Sequence, residues 1–247
     1  MNPLLVGAIL TTYVAILSLV VGVVPSNRMR AVIYSIPIPM SLLSLLGPEL
    51  VQPNVILGLL VNASFFWIIA AGDRKRFPRW LSTIAATGGY VGTSWLLSHY
   101  LSPPLIVATG VSLLIWFGLL PLIRRVVVNR VAEVAPIGPR RLVIVFLTAT
   151  GAVSIAGILG PFVVTFPYTG ITMALTYPGS TVPFARSFWL NGIPPLLAYG
   201  IGLVAASNAG LPTWVAVLTG LGCWFATTGV VALVQRPRGA APARESS

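Results

Sequence analysis

Four acidic residues, one histidine, one cysteine and one lysine, Lys75 in a basic turn, are the whole stock of conventional acids, bases and nucleophiles, hydroxyls aside, in these 247 residues. Glu49, Asp73 and Glu133 fall in connections between apolar runs, and Glu245 falls in the C-terminal stretch. Hydrolytic schemes need positioned acids and bases, and carboxylate-driven proton carriers need an ionisable group at membrane depth. Neither pattern is present in the sequence, so no enzyme is expected. His99, beside Tyr100 at the outer end of an apolar run, reads as an interfacial side chain; no metal and no cofactor are expected. Cys223 alone rules out an internal disulfide and a multi-cysteine cluster.

The remaining chemistry is neutral polarity inside apolar stretches. Asn62, Thr87, Thr165, Thr169, Asn191 and Tyr199 are the candidates to line a substrate site. An intramembrane Asn costs free energy unless it is paired, so Asn62 and Asn191 lead; interhelical hydrogen bonding is the competing role for all six. Pro37-Ile38-Pro39, Gly88-Gly89, Pro167 and Gly192-Ile193-Pro194-Pro195 interrupt the runs that contain them. Proline frees a carbonyl, and irregular backbone at membrane depth is tolerated only where protein or a water-filled cavity satisfies it. Discontinuous helices at matching positions of two repeats point to a transporter site, and the second and fourth interruptions listed in that order of spans, Gly88-Gly89 and Gly192 to Pro195, are the matching pair here. Arg79 and Arg186, next to Trp80 and Trp189, are candidates for contact with anions or lipid headgroups.

The elements that must position these residues follow from composition. The chain is 56% hydrophobic and 8% charged, with a mean hydropathy of +0.93. So few charges cannot coat a soluble globule, and runs of about 20 apolar residues recur, as helices crossing a bilayer require. The runs fall near 3–24, 31–47, 53–72, 80–101, 103–123, 141–159, 161–177, 187–207 and 212–234. The net charge of +11 sits in short turns, which is a topology signal and not a nucleic-acid stripe. Every Lys and Arg follows an odd-numbered run. The positive-inside rule therefore predicts an N-terminus outside, a C-terminus in the cytoplasm, and nine spans instead of eight in the cell inner membrane.

Spans two to five and six to nine align at a shift of about 108 residues, pairing Pro53 with Pro161, Trp80 with Trp189 and Trp116 with Trp224. The expectation is an all-α polytopic membrane protein built as one helix plus a parallel four-helix repeat, 1+4+4. Its parts are an N-terminal helix (1–25), a first repeat (26–123), a basic cytoplasmic loop (124–140), a second repeat (141–235) and a disordered tail (236–247). The second copy carries Phe166-Pro167, Arg186, Pro194-Pro195 with Tyr199, Leu211-Pro212 and Gly220-Leu221-Gly222-Cys223-Trp224. That order resembles the small four-span bacterial inner-membrane proteins of the GlpM type, over 161–234. The resemblance implies a fused pair of such units with an extra N-terminal helix, and little chemistry.

These features favour a permease or facilitator for a small neutral, anionic or lipid-linked solute, with its site between the repeats. The alternative is a non-transporting membrane subunit that scaffolds a partner complex. The partners expected are the bilayer, anionic headgroups at the cytoplasmic face, and a further copy or membrane subunit; nucleic acid is not among them.

Overall fold

The computed structural model describes residues 3–128, 134, 137–156, 160–177 and 179–234. The centre of the 124–140 loop with Glu133, and the tail 236–247 with Glu245, lie outside them. Among the described residues all regular structure is helical, as the apolar runs require. Four helices are long and apolar enough to cross a membrane: α4 (Asn54–Arg74), α6 (Leu105–Arg125), the continuous helix Val182–Asn208, and α11 (Thr213–Val234). The protein is a polytopic helical membrane protein. Its remaining helices are α1 (Pro3–Val23), α2 (Asn27–Tyr34), α3 (Ile38–Leu46), α5 (Arg79–Tyr100), α7 (Pro139–Ala156) and α8 (Tyr168–Thr176).

Burial separates inner from outer helices. The apolar lengths of α4 and of Val182–Asn208 are 67% buried, whereas those of α6 and α11 are 17% buried. The two inner helices pack on each other and each forms a hairpin with the helix that follows. Close approach in the hairpins is made by glycine. A Cβ at Gly72 would collide with Ser82 of α5, and one at Gly202 would stand 2.9 Å from Cys223 Sγ and 3.3 Å from the Gly220 backbone in α11.

Two of the interruptions in the sequence are real breaks. Between α2 and α3 the chain leaves the helix at Ser35–Pro37, and a 3-10 turn (Gly160–Thr165) is separated from α8 by Phe166-Pro167. Span eight keeps its axis. Its segments α9 (Val182–Ser187) and α10 (Ile193–Asn208) are joined by a π turn at Phe188–Gly192, and Pro194 sits in the first turn of α10, where a missing N–H costs little. The Gly88-Gly89 interruption does not occur: α5 runs unbroken through both. Glycine lowers helix propensity by only about 1 kcal/mol, and no proline ring or inserted side chain forces the backbone apart there. Nothing stands within 4 Å of a Cβ built at Gly88. Gly88→Ala is therefore expected to leave the fold intact and raise stability by about 0.5–1 kcal/mol, measured by thermal unfolding in detergent.

Two buried arginines tie the end of α1 to its neighbours. Arg30 is 1% exposed, donates to Val24 O (2.6 Å) and Gly22 O (3.2 Å), and lies 4.6 Å over the Tyr177 ring. Arg141 donates to Ser18 O at 3.3 Å. Carbonyls at a helix C-terminus carry partial negative charge, so α1 ends on two guanidinium groups.

Candidate functional site

The two broken segments have the same backbone. In the first, Ile36 N–H donates to Ile33 O, Ile38 N–H to Ile36 O and Ser41 N–H to Pro37 O; in the second, Phe166 N–H donates to Val163 O, Tyr168 N–H to Phe166 O and Ile171 N–H to Pro167 O. The bond spanning two residues closes an inverse γ-turn on each proline, with φ −83° and ψ 37° at Pro37 and φ −78° and ψ 54° at Pro167. Each turn lets a new helix start at once, so the N-termini of α3 and α8 both face the place where the breaks meet. A tripeptide precedes each: Ser35-Ile36-Pro37 and Thr165-Phe166-Pro167. Pro37 to Pro167 is a shift of 130 residues, and Gly72 to Gly202, the two close-approach glycines, is the same shift.

Side chains from α4 and α5 bridge the breaks. Asn62, 7% exposed on α4, accepts from Tyr34 Oη at 3.3 Å and donates through Nδ2 to Thr165 O at 3.0 Å. It joins the end of α2 to the carbonyl that the second break leaves free. The Tyr90 hydroxyl on α5 lies 2.7 Å from Thr165 Oγ1 and donates to Phe162 O at 3.0 Å. Tyr168 donates to Val163 O at 3.0 Å. Tyr199, fully buried on α10, meets Ser41 Oγ at 2.8 Å, and that hydroxyl donates to Pro37 O. Pairing of this kind is what buried backbone irregularity demands.

The crossing borders a cavity of about 40 Å³, lined by Tyr34, Pro37, Asn62, Thr165, Thr169 and Tyr168 among others. That is room for a water molecule or a small ion, with no charged side chain on its wall. On one side it is sealed by edge-to-face rings: Tyr34 packs on Phe66 (5.1 Å), Phe184 (5.7 Å) and Phe188 (5.0 Å). Gly170 is wedged into this seal. A Cβ there would stand 2.9 Å from Phe66 Cζ, 3.0 Å from Tyr34 Oη and 3.1 Å from Phe65 Cε1. These rings are buried and interlocked, so they cannot yield. Gly170→Val is expected to cost about 2–3 kcal/mol or to prevent folding, against little change for Gly88→Val, both read as detergent melting midpoints.

Of the six candidates for a substrate site, Asn62, Thr165 and Thr169 line this cavity, and Tyr199 sits one hydrogen bond from the first break. Thr87 is apart, donating to Thr83 O within its own helix. Asn191 lines a different cleft, with Arg28, Val32 and Thr228, and donates to Ser187 O. Arg79 is committed inside the protein, donating to Tyr177 O, to Gly179 O at 2.7 Å and to Asp73 at 3.3 Å. Arg186 donates to Ile123 O and Arg124 O, each at 3.3 Å. Among the described residues no group of acidic, His or Cys side chains is placed to hold a metal. His99 is exposed and stacks on Trp95 at 5.4 Å. Tyr34, Tyr90, Tyr168 and Ser41 were not among the sequence candidates; for Tyr34, Tyr168 and Ser41 the sign is a hydroxyl within one or two turns of a proline in an apolar run, and Tyr90 carries no such sign. Compared with protein-family models, curated proteins and solved structures, the chain matches none.

Proposed function

We propose that the protein is a small permease or facilitator whose solute passes through the crossing of the two broken segments. The duplicated break carries this reading. Two helices that stop and restart with the same turn, at the same place in the bundle, are costly to keep unless the site they form is used. Two helix N-termini and a neutral polar wall suit an uncharged or anionic solute. The scaffold alternative requires only that the polar groups satisfy one another.

Nine spans in the cell inner membrane, with the N-terminus outside, remain part of the proposal, but the repeat is paired differently from 1+4+4. The shared 130-residue shift groups α1, α2/α3, α4 and α5 against α7, the 160–176 segment, Val182–Asn208 and α11, with α6 between them. This is 4+1+4. An odd offset in spans inverts the second unit relative to the first, and the arginines agree: Arg28 and Arg30 follow α1, whereas Arg140 and Arg141 lead into α7. Inverted units exchange inward and outward arrangements about a fixed central site. With this topology the aromatic seal and the Asp73 contacts lie on the cytoplasmic side of the crossing. The likeness of 161–234 to GlpM-type proteins is compatible with this pairing and adds no substrate.

The test needs no substrate. Thr169→Cys, in a Cys223→Ala background, is reacted with a membrane-impermeant maleimide added to either face of sealed vesicles. Labelling from both faces is expected, since a site visited alternately is wetted alternately. Absence of labelling from both would sink the permease reading in favour of a packed scaffold.

A further inference from the structure

The outer helices α6 and α11 do not close on each other. Between their ends lies a cleft of about 460 Å³, with Leu190 and Pro194 as its floor, Trp116 and Leu120 on the α6 wall and Val231 and Val234 on the α11 wall. The floor is the distorted stretch of the inner helix. Its π turn ends at Gly192, the proline pair follows, and Trp116 Nε1 donates to Trp189 O at 3.0 Å, which holds α6 against the turn. Among the described residues no side chain fills the space between α6 and α11 beside this turn.

The mouth of the cleft carries Arg124 and Arg186 and, among the described residues, no acidic side chain. Arg186 is held in place by the last carbonyls of α6, Ile123 O and Arg124 O, while the Arg124 side chain is exposed. An apolar slot that opens at two guanidinium groups at the end of two lipid-facing helices has the polarity profile of a phospholipid. From this geometry we infer that the cleft is a specific site for one anionic phospholipid of the cytoplasmic leaflet: its phosphate lies on Arg124 and Arg186, and one acyl chain lies between α6 and α11 over Leu190 and Pro194. A zwitterionic lipid offers the same chains but brings its own cation to the arginines. The second cleft, on the other side of α11, has Arg28 at its edge donating to Ala232 O and is smaller, about 210 Å³. This site does not depend on the transport reading and would be present on a scaffold too.

The test is native mass spectrometry of the full chain in mild detergent, offered equal phosphatidylglycerol and phosphatidylcholine with identical acyl chains. One retained phosphatidylglycerol is expected, preferred about thirtyfold, since each arginine near the surface contributes roughly a factor of five. Arg124→Gln should cut the preference about fivefold. Arg186→Gln also removes bonds within the protein, so Val230→Trp, at a residue that lines this cleft and not the Arg28 one, serves as the second variant: it fills the slot, leaves both arginines, and should lose the bound lipid. Arg74→Gln with Arg76→Gln, a basic turn elsewhere, should retain it. Equal retention of the two lipids, or retention in Val230→Trp, would overturn the proposal. So would a stable dimer whose Val231→Cys copies, with Cys223 replaced by Ala, cross-link to each other, because the cleft would then hold a second copy.

Discussion

Asn62→Leu is expected to destabilise the protein by about 2–4 kcal/mol and to abolish two-sided labelling at the crossing, whereas Asn191→Leu changes either by little. The difference lies in what each amide leaves behind. An interhelical hydrogen bond in a membrane protein contributes only about 0.6 kcal/mol on average, because the unfolded helices find other partners in the bilayer. Thr165 O is a different case. It belongs to a break, so no helical N–H four residues on replaces Asn62 Nδ2 when that donor is lost. A buried acceptor left without a partner costs roughly 1–3 kcal/mol, and the Tyr34 hydroxyl, buried in the bundle and donating to the same amide, loses its acceptor as well. Leucine fills the space of asparagine, so a cavity does not contribute. Asn191 pairs only with Ser187 O in its own helix turn, and its Oδ1 is buried without a partner. Replacing an amide that is half unsatisfied by an apolar side chain removes a desolvation cost along with a bond, and the two nearly cancel. The measurement is the unfolding midpoint of each variant in mixed detergent micelles, followed by maleimide labelling of Thr169→Cys in the same backgrounds. Equal midpoints for the two leucine variants would show that Asn62 is an ordinary packing residue.

Composition and run length were enough to make the protein a helical membrane protein, because the solvent that can accept this surface is lipid. The proline breaks were also visible, and so was Asn62 as an amide that must be paired. Which break meets which was not. The 108-residue alignment pairs Pro53 with Pro161, Trp80 with Trp189 and Trp116 with Trp224, and it keeps every basic turn on one side of the membrane. Matching such residues selects copies of the same orientation. Copies inverted as proposed above would exchange sides, so their side-dependent arginines would not coincide, and likeness would be kept where the backbone itself is constrained. Those places are short: Ser35-Ile36-Pro37 with Thr165-Phe166-Pro167, and Gly72 with Gly202. Gly88-Gly89 misled for a related reason. Two glycines look like a break in a sequence, but without a proline or a neighbour that requires the bend, helical hydrogen bonding continues through them. Tyr34, apart from its nearby proline, and Tyr90 carry no mark in the sequence beyond their type, although a buried phenol needs a partner and so points to a nearby free carbonyl or hydroxyl.

Asp73→Ala is expected to produce the other large effect, a loss of about 2–4 kcal/mol together with faster labelling of Thr169→Cys from the cytoplasmic face. Asp73 caps nothing in its own helix. Its carboxylate accepts from Thr181 N at 2.6 Å, from the Thr181 hydroxyl, and from Arg79 at 3.3 Å. Arg79 in turn donates to Tyr177 O and Gly179 O, so the turn between α4 and α5 is clipped onto the connection between α8 and α9 from both of its ends. Exposed ion pairs contribute little, yet this one is 11% exposed at Asp73 and 25% at Arg79, and it is completed by two further donors. Hydrogen bonds to a charged group contribute about 1.5–3 kcal/mol each, and removing the carboxylate strands a buried N–H and a guanidinium together. Glu49, the other acid among the described connections, has no ion pair, and Glu49→Ala should shift stability by less than about 0.5 kcal/mol. The consequence for access follows from position. Phe184 and Phe188, two rings of the seal over the cavity, begin three residues beyond Thr181, and the clip fixes where that stretch of chain starts. Releasing Thr181 frees α9 to move away from α4 and exposes the crossing. Arg79→Gln should reproduce the labelling change with a smaller loss of stability, because Thr181 keeps its acceptor. A variant that lost stability without any change in labelling would leave the clip as a fastening between two loops and detach it from access to the site.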